Sequence, residues 1–267
     1  MIVKYFQHLE YASQEKSLSN PNGLYRWVNA FANKQDATTF LELVVDYLCG
    51  DVITDSWMLI DKENGQLVSE MADWFVDGLR HVPLEVLAQK LKLREYKLSE
   101  SVDNIPQISS FEGSTLDILD ILSKSESALD FVQLGYYLYP ASSRRNETAK
   151  RKYGENASKF AAFFDLVRLD HLGVKLTPIG EAVQRAKGDR LEIVARLQFR
   201  LALFRDLLCS DDAKNEKVFC DTIFKLSKLT RIRRSTAFTA MLKIYDKYEC
   251  GKPLGCKAED LICQMRR

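Results

Sequence analysis

A mainly α fold with short β hairpins is predicted by three features of the chain. Apolar residues recur three and four apart over most of its length, as in LYRWVNAFA, where Leu24, Trp27, Val28 and Phe31 share one helical face. Helix starts and stops stand where such a fold needs them: Asp36 ahead of TTFLELVVDYLC, Gly50 behind it, Pro83 at the first helical position for LEVLAQKLKL, and Thr177-Pro178 ahead of IGEAV. Strand-turn-strand patterns are few, at SWMLIDKENGQLV and around Asp170-His171-Leu172-Gly173.

The elements follow in order. Asn20-Pro21-Asn22-Gly23 is turn chemistry leading into the first helix, and Asp36 caps the next. SWMLIDKENGQLV reads as a short strand, a turn at Glu63-Asn64-Gly65 and a return; EMADWFVDGLRHV then has helical periodicity. PLEVLAQKLKLREYKLSE has a helix-turn-helix pattern, with one helix ending at Leu91 and another starting at Arg94. Residues 1–105 are thus expected to be a helical region with winged-helix-like features. Residues 106–113, with Pro106 and Gly113 and no periodicity, are read as a linker.

Residues 114–190 give the densest pattern. STLDILDILSK, capped by Ser114, is the first expected helix, and ALDFVQLGYYLYP the second. The third starts at Asn146, with Tyr153, Ala157, Phe160, Ala161 and Phe164 on its core face and Arg145, Lys152, Asn156 and Lys159 opposite. Strands at 166–168 and 174–176 flank the turn 170–173, and Thr177 caps a further helix with Pro178 at its first position. Three helices followed by a hairpin make a winged helix, so the predicted architecture is tandem winged-helix (helix-turn-helix). Residues 191–267 complete the chain with helices in DRLEIVARLQFRLALFRDLL, EKVFCDTIFKLSKL and RRSTAFTAMLKIYDKYEC.

Composition narrows the function. The 267 residues are 46% hydrophobic and 28% charged, as in an ordinary globular protein with a full core. No run of about 18 apolar residues is present, and the first residues lack a signal peptide's apolar centre, so a cytoplasmic, nucleoid-associated location with no membrane partner is expected. The net charge is only +1, so a polyanion surface must come from segregation of charge. Residues 142–152 hold five basic residues against Glu147, and 225–234 hold five basic residues and no acid. The plain alternative for each run is a solvated helix face.

On the first run, Arg144, Arg145 and Asn146 stand at the helix N-terminus, where base-reading side chains sit; arginine matches guanine and asparagine matches adenine bidentately. Ser143 and Thr148 suit phosphates beside the helix dipole, and Lys150, Arg151, Lys152 and Lys159 suit phosphates along the groove. On the second run, Arg231, Arg233 and Arg234 are expected at a backbone, just before a helix capped by Ser235 or Thr236. Among Tyr136, Tyr137 and Tyr139, one or two are expected near the recognition helix.

The expected partner is double-stranded DNA. No catalytic constellation emerges. Glu95-Tyr96-Lys97 is the one E-x-K string in reach, with no strand around it, and His8, His81 and His171 are scattered. Asp55, Asp61, Glu63, Glu70 and Asp73 are interrupted by a turn signal, and Cys250, Cys256 and Cys263 lack zinc spacing. No cofactor or metal is expected; Mg²⁺ enters only with the alternative of a nuclease site hidden in 40–100. Trp27, Trp57, Trp74, Phe31 and Phe75 read as core.

The run from Arg144 through Gly180, with its LTP-x-G string, followed by a long helix and RIRRSTAFTAMLKIYDKY, resembles the winged-helix DNA-recognition regions of type II, especially type IIS, restriction endonucleases. The resemblance covers about residues 114–250. It implies sequence-specific DNA binding as the target-recognition module of a restriction-modification or phage-defence system, with a nuclease domain or subunit as a further partner. The remaining alternative is a winged helix that serves as a protein-interaction or regulatory module.

Overall fold

The computed structural model describes residues 21–51, 57–95, 105–108, 110, 112–139, 146–211, 215–250 and 258–267. Its contacts divide the chain into two compact units, Met1–Leu98 and Ser99–Arg267, with no further division of the second.

The described part of the first unit is four helices: α1 (Pro21–Ala32), α2 (Ala37–Cys49), α3 (Trp57–His81) and α4 (Leu84–Lys92). Asp36 caps α2 by accepting from Thr38 N at 3.0 Å, and Gly50 ends it in the left-handed conformation at φ 83°. The core is aromatic: Trp27, Tyr47 and Phe75 are fully buried and meet edge to face, and Phe31 and Phe40 meet Trp74 in the same way. Gly78 lets the Phe40 ring lie against α3, since a Cβ there would stand 2.4 Å from Phe40 Cζ. Lys90 and Arg94 pair with Glu42 at 2.5 and 2.7 Å, joining the end of α4 to α2. Asp46, its carboxyl pushed up by burial, receives Arg26 at 2.9 Å.

Two expectations in this unit are corrected. The strand-turn-strand expected over SWMLIDKENGQLV is instead the start of the 25-residue helix α3. An Asn-Gly pair inside a helix costs on the order of 1 kcal/mol. The continuous stripe Val68, Met71, Ala72, Phe75, Val76 and Leu79, all buried, outweighs it. Pro83 precedes the first residue of α4 rather than occupying it.

The second unit holds α5 (Asp117–Leu122), entered through a π-helical turn at Glu112–Leu116, then α6 (Phe131–Leu138), α7 (Glu147–Phe163), β1 (Val167–Asp170), β2 (Gly173–Leu176), α8 (Pro178–Arg185), α9 (Arg190–Leu197), α10 (Ala202–Cys209), α11 (Asn215–Ile223), α12 (Lys228–Lys247) and α13 (Ala258–Arg266). The β structure among the described residues is the β1–β2 hairpin plus one bridge, so the fold is mainly α with a single small hairpin. Ser114 does not cap α5. Its hydroxyl donates to the Ser110 carbonyl and the residue is buried, while the capping position falls on Leu116. The helix expected over DRLEIVARLQFRLALFRDLL breaks at Gln198–Arg200 and the extended Leu201. Its apolar residues surround the axis, and the bend buries both halves, with Ile193, Leu197, Phe199, Leu203, Phe204 and Leu207 all inside.

Candidate nucleic-acid interface

Two close crossings set the position of α7. A Cβ on Gly135 of α6 would lie 2.0 Å from Lys150 O, and one on Gly154 of α7 would lie 2.1 Å from Phe131 O. The two backbones therefore touch where glycine alone fits. Capping fixes both helix starts. Asp130 and Gln133 form a reciprocal capping box on α6, and Asn146 caps α7 by accepting from Ala149 N at 2.9 Å. The expected core face of α7 holds: Ala157, Phe160, Ala161 and Phe164 are buried, and the half-buried Tyr153 rests on Tyr139 at 4.5 Å.

The hairpin pairs Val167 with Leu176, Arg168 with Lys175, Leu169 with Val174 and Asp170 with Gly173. His171 and Leu172 are exposed at its turn, and Asp170 accepts from Leu172 N at 2.8 Å. Thr177 caps α8, accepting from Gly180 N at 2.9 Å. Gly180 is the one residue type that fits there, because a Cβ would meet Leu166 O at 1.8 Å. Leu129, between α5 and α6, forms an antiparallel bridge with Val174; Val174 N donates to Leu129 O at 2.8 Å and Leu129 N to Val174 O at 3.2 Å. No sequence signal marks this one-residue strand. The Gly135 and Gly154 contacts did leave one, since a glycine inside a helical pattern commonly has a packing reason.

The expected site residues divide sharply. Ser143, Arg144 and Arg145 lie outside the described residues. Thr148, Arg151, Lys152 and Lys159 are exposed on α7, and Arg151 makes no ion pair among the described residues. Glu155 stands between the two lysines, 2.6 Å from Lys159 Nζ and 3.2 Å from Lys152 Nζ. The hydrogen bond from Lys159, then that from Lys152, hold its carboxyl below the ordinary glutamate value. Lys150 is a correction. It is 3% exposed, and its ammonium lies 3.9 Å from the centre of the Tyr136 ring, so it braces α6 against α7 instead of facing a phosphate. Asn146 spends its side-chain oxygen on the cap and keeps its amide donors for any base.

The second basic run is also corrected. Arg231, Arg233, Arg234, Ser235 and Thr236 lie inside α12, which Ser227 caps by accepting from Thr230 N at 3.2 Å. Ser235 is buried and donates to Ile232 O at 2.8 Å. The Arg231 guanidinium rests 4.7 Å over the Phe224 ring, Arg233 is exposed and Arg234 half-buried. Phe224, Leu229 and Ile232 are exposed among them at 41%, 56% and 44%.

Elsewhere, Trp27 and Phe75 are buried in the first unit as expected. Trp57 lies in α3, and nothing of its side chain is described. Glu70 and Asp73 sit on α3 rather than beside a turn; Asp55, Tyr96, Lys97 and Cys256 lie outside the described residues. No helix among the described residues is long and apolar enough to cross a membrane. No family model, curated protein or solved structure matches the chain.

Proposed function

We propose that residues 117–185 are a winged helix whose α7 enters the major groove of double-stranded DNA and reads its sequence. The observation that carries this is the Leu129–Val174 bridge. It supplies a strand between the first two helices, so the order becomes helix, strand, helix, helix, strand, strand. In that order the third helix is the reading helix and the hairpin is the wing. The polar face of α7 supports the reading. Thr148 and Arg151 are available at once, and Lys152 and Lys159 are held only by surface pairs worth about 0–1 kcal/mol, which phosphates displace. Asn146, with Arg144 and Arg145 ahead of it, is the base-reading end.

The resemblance of residues 114–250 to restriction-enzyme recognition regions extends this reading to a target-recognition module of a restriction-modification or phage-defence system. Such a module works in the cytoplasm, at the nucleoid, with a nuclease domain or subunit as its partner.

The test is fluorescence anisotropy with a random-sequence duplex at several salt concentrations, followed by selection of bound duplexes from a random pool. About five phosphate contacts give a slope of about −4.5 in log affinity against log salt. The selected pool converges on one motif. Failure to bind at the lowest salt sinks the proposal.

A further inference from the structure

The two surfaces of the second unit that duplex reading leaves aside are chemically complementary. One is the corner where α11 turns into α12. From Phe224 to Arg234 it carries Lys225, Lys228, Arg231, Arg233 and Arg234 with no acid. Lys228, Leu229, Ile232 and Arg233 are all exposed, so the first two turns of α12 present cations and large apolar side chains together. A phosphate backbone offers the cations a partner and offers Phe224, Leu229 and Ile232 none. Three large apolar side chains exposed among charges fit a protein surface that is itself apolar and acidic.

The other surface is a cleft of about 700 Å³ between α5, the loop after it and α6. Asp117, Asp120 and Glu126 line it beside Ile121 and the 62% exposed Tyr137, with Lys124 as its cation. Asp120 is committed to Arg190, which it meets through two bonds of 2.9 and 2.7 Å. Asp117 and Glu126 make no ion pair among the described residues and stand free to receive cations.

We infer that the α11–α12 corner of one molecule docks into the α5–α6 cleft of a second copy. Lys228 and Arg233 meet Asp117 and Glu126, while Leu229 and Ile232 pack on Ile121 and Tyr137. The two halves of the contact are different surfaces, so the association is head-to-tail: each molecule receives one neighbour and offers itself to another. Such contacts close into a ring or extend as a chain. The contact is small and rimmed by charge, so it weakens as salt rises.

The experiment is light scattering coupled to sedimentation of the full chain, at rising protein concentration and at low and high salt. Two variants break one half each: Lys228→Glu with Arg233→Glu at the corner, and Asp117→Lys with Glu126→Lys at the cleft. All four positions are exposed, and thermal melting checks that both variants fold. The wild type is expected to exceed the monomer mass at low salt and to fall back at high salt. Each variant alone loses at least about tenfold in association. An equimolar mixture recovers association, because the intact corner meets the intact cleft and the two charge-reversed halves are again opposite in sign. A wild type that stays monomeric at every concentration and low salt overturns the inference, as do variants that associate like the wild type or a mixture that associates no better than either variant alone. Binding of the corner to a duplex or to anionic vesicles by a monomeric wild type also overturns it. Duplex anisotropy with the wild type stands or falls separately, so failure here is distinguishable from failure of the DNA reading.

Discussion

The two basic helices of the second unit carry similar runs of charge in very different settings. On α7 the charge is edited: Lys150 is turned inward onto Tyr136, and Glu155 holds Lys152 and Lys159. The helix itself is locked against α6 by Gly135 and Gly154. The run that opens α12 contains no acid of its own, and large apolar residues stand exposed between the cations. A run of lysine and arginine therefore does not define an interface by itself. What lies between the cations, and how rigidly the helix is held, decides which partner the surface fits.

The largest effect follows from the way α7 is held. Gly154→Ala drives a methyl group into the Phe131 carbonyl, and neither backbone can yield without separating the helices. The expected loss is about 3 kcal/mol in thermal or urea denaturation, together with duplex binding. Leu229→Ala, on the exposed start of α12, changes stability by no more than about 0.5 kcal/mol. Equal stability of the two variants would remove the contrast between a clamped helix and an open one.

Duplex affinity separates the two runs next. Arg151→Ala lowers the salt slope by about 1, while Arg233→Ala leaves it in place. Glu155→Gln releases Lys152 and Lys159 and raises affinity for every sequence by about threefold. A sharper probe is Asn146→Asp. Aspartate keeps the helix cap, so stability holds within about 0.5 kcal/mol, but it loses the amide that donates to a base. Sequence preference should relax with little change in melting temperature. Unaltered preference would leave Asn146 a cap and nothing more.

Much of the second unit was legible because its signals are local. Thr177-Pro178, the hairpin turn at 170–173 and the stripe from Ala157 to Phe164 each depend on residues a few positions apart, and each stands where it was read. What escaped depends on distant partners. Ser114 was a good cap in isolation, but the Ser110 carbonyl takes its hydroxyl. Asn64-Gly65 signals a turn by itself, and the buried stripe farther along α3 overrides it. The inward turn of Lys150 is invisible without α6, because its neighbours Arg151 and Lys152 do face outward. Ser235-Thr236 looked like a helix start because the basic run before it reads as loop, whereas Ser227 had already opened the helix.

The pH-dependent contrast, whose Asp117 arm is the smallest effect, concerns the acidic counterpart of the α12 corner, where two neighbouring aspartates are shifted in opposite directions. Arg190 holds the Asp120 carboxyl below its ordinary value of 3.8, so its contribution is present above that pH and is lost as the solution becomes more acid. Burial, then the charge of Asp120, push Asp117 above the same value. Its contribution is complete below 3.8 and is lost as pH rises through the elevated value. Both groups are partly exposed, so water screens the effects. Asp120→Asn should lose about 1 kcal/mol at neutral pH, and the loss should fade only as the pH falls below the ordinary 3.8. Asp117→Asn should gain a few tenths of a kcal/mol at neutral pH and nothing at about pH 3. Urea denaturation at both pH values reads the difference. A carboxylate that the fold tolerates at a small cost is one that an arriving lysine or arginine relieves, which is the role the cleft needs. If Asp117→Asn destabilises the monomer at neutral pH, the carboxylate already has its partner within the fold, and the corner of a second molecule has nothing there to meet.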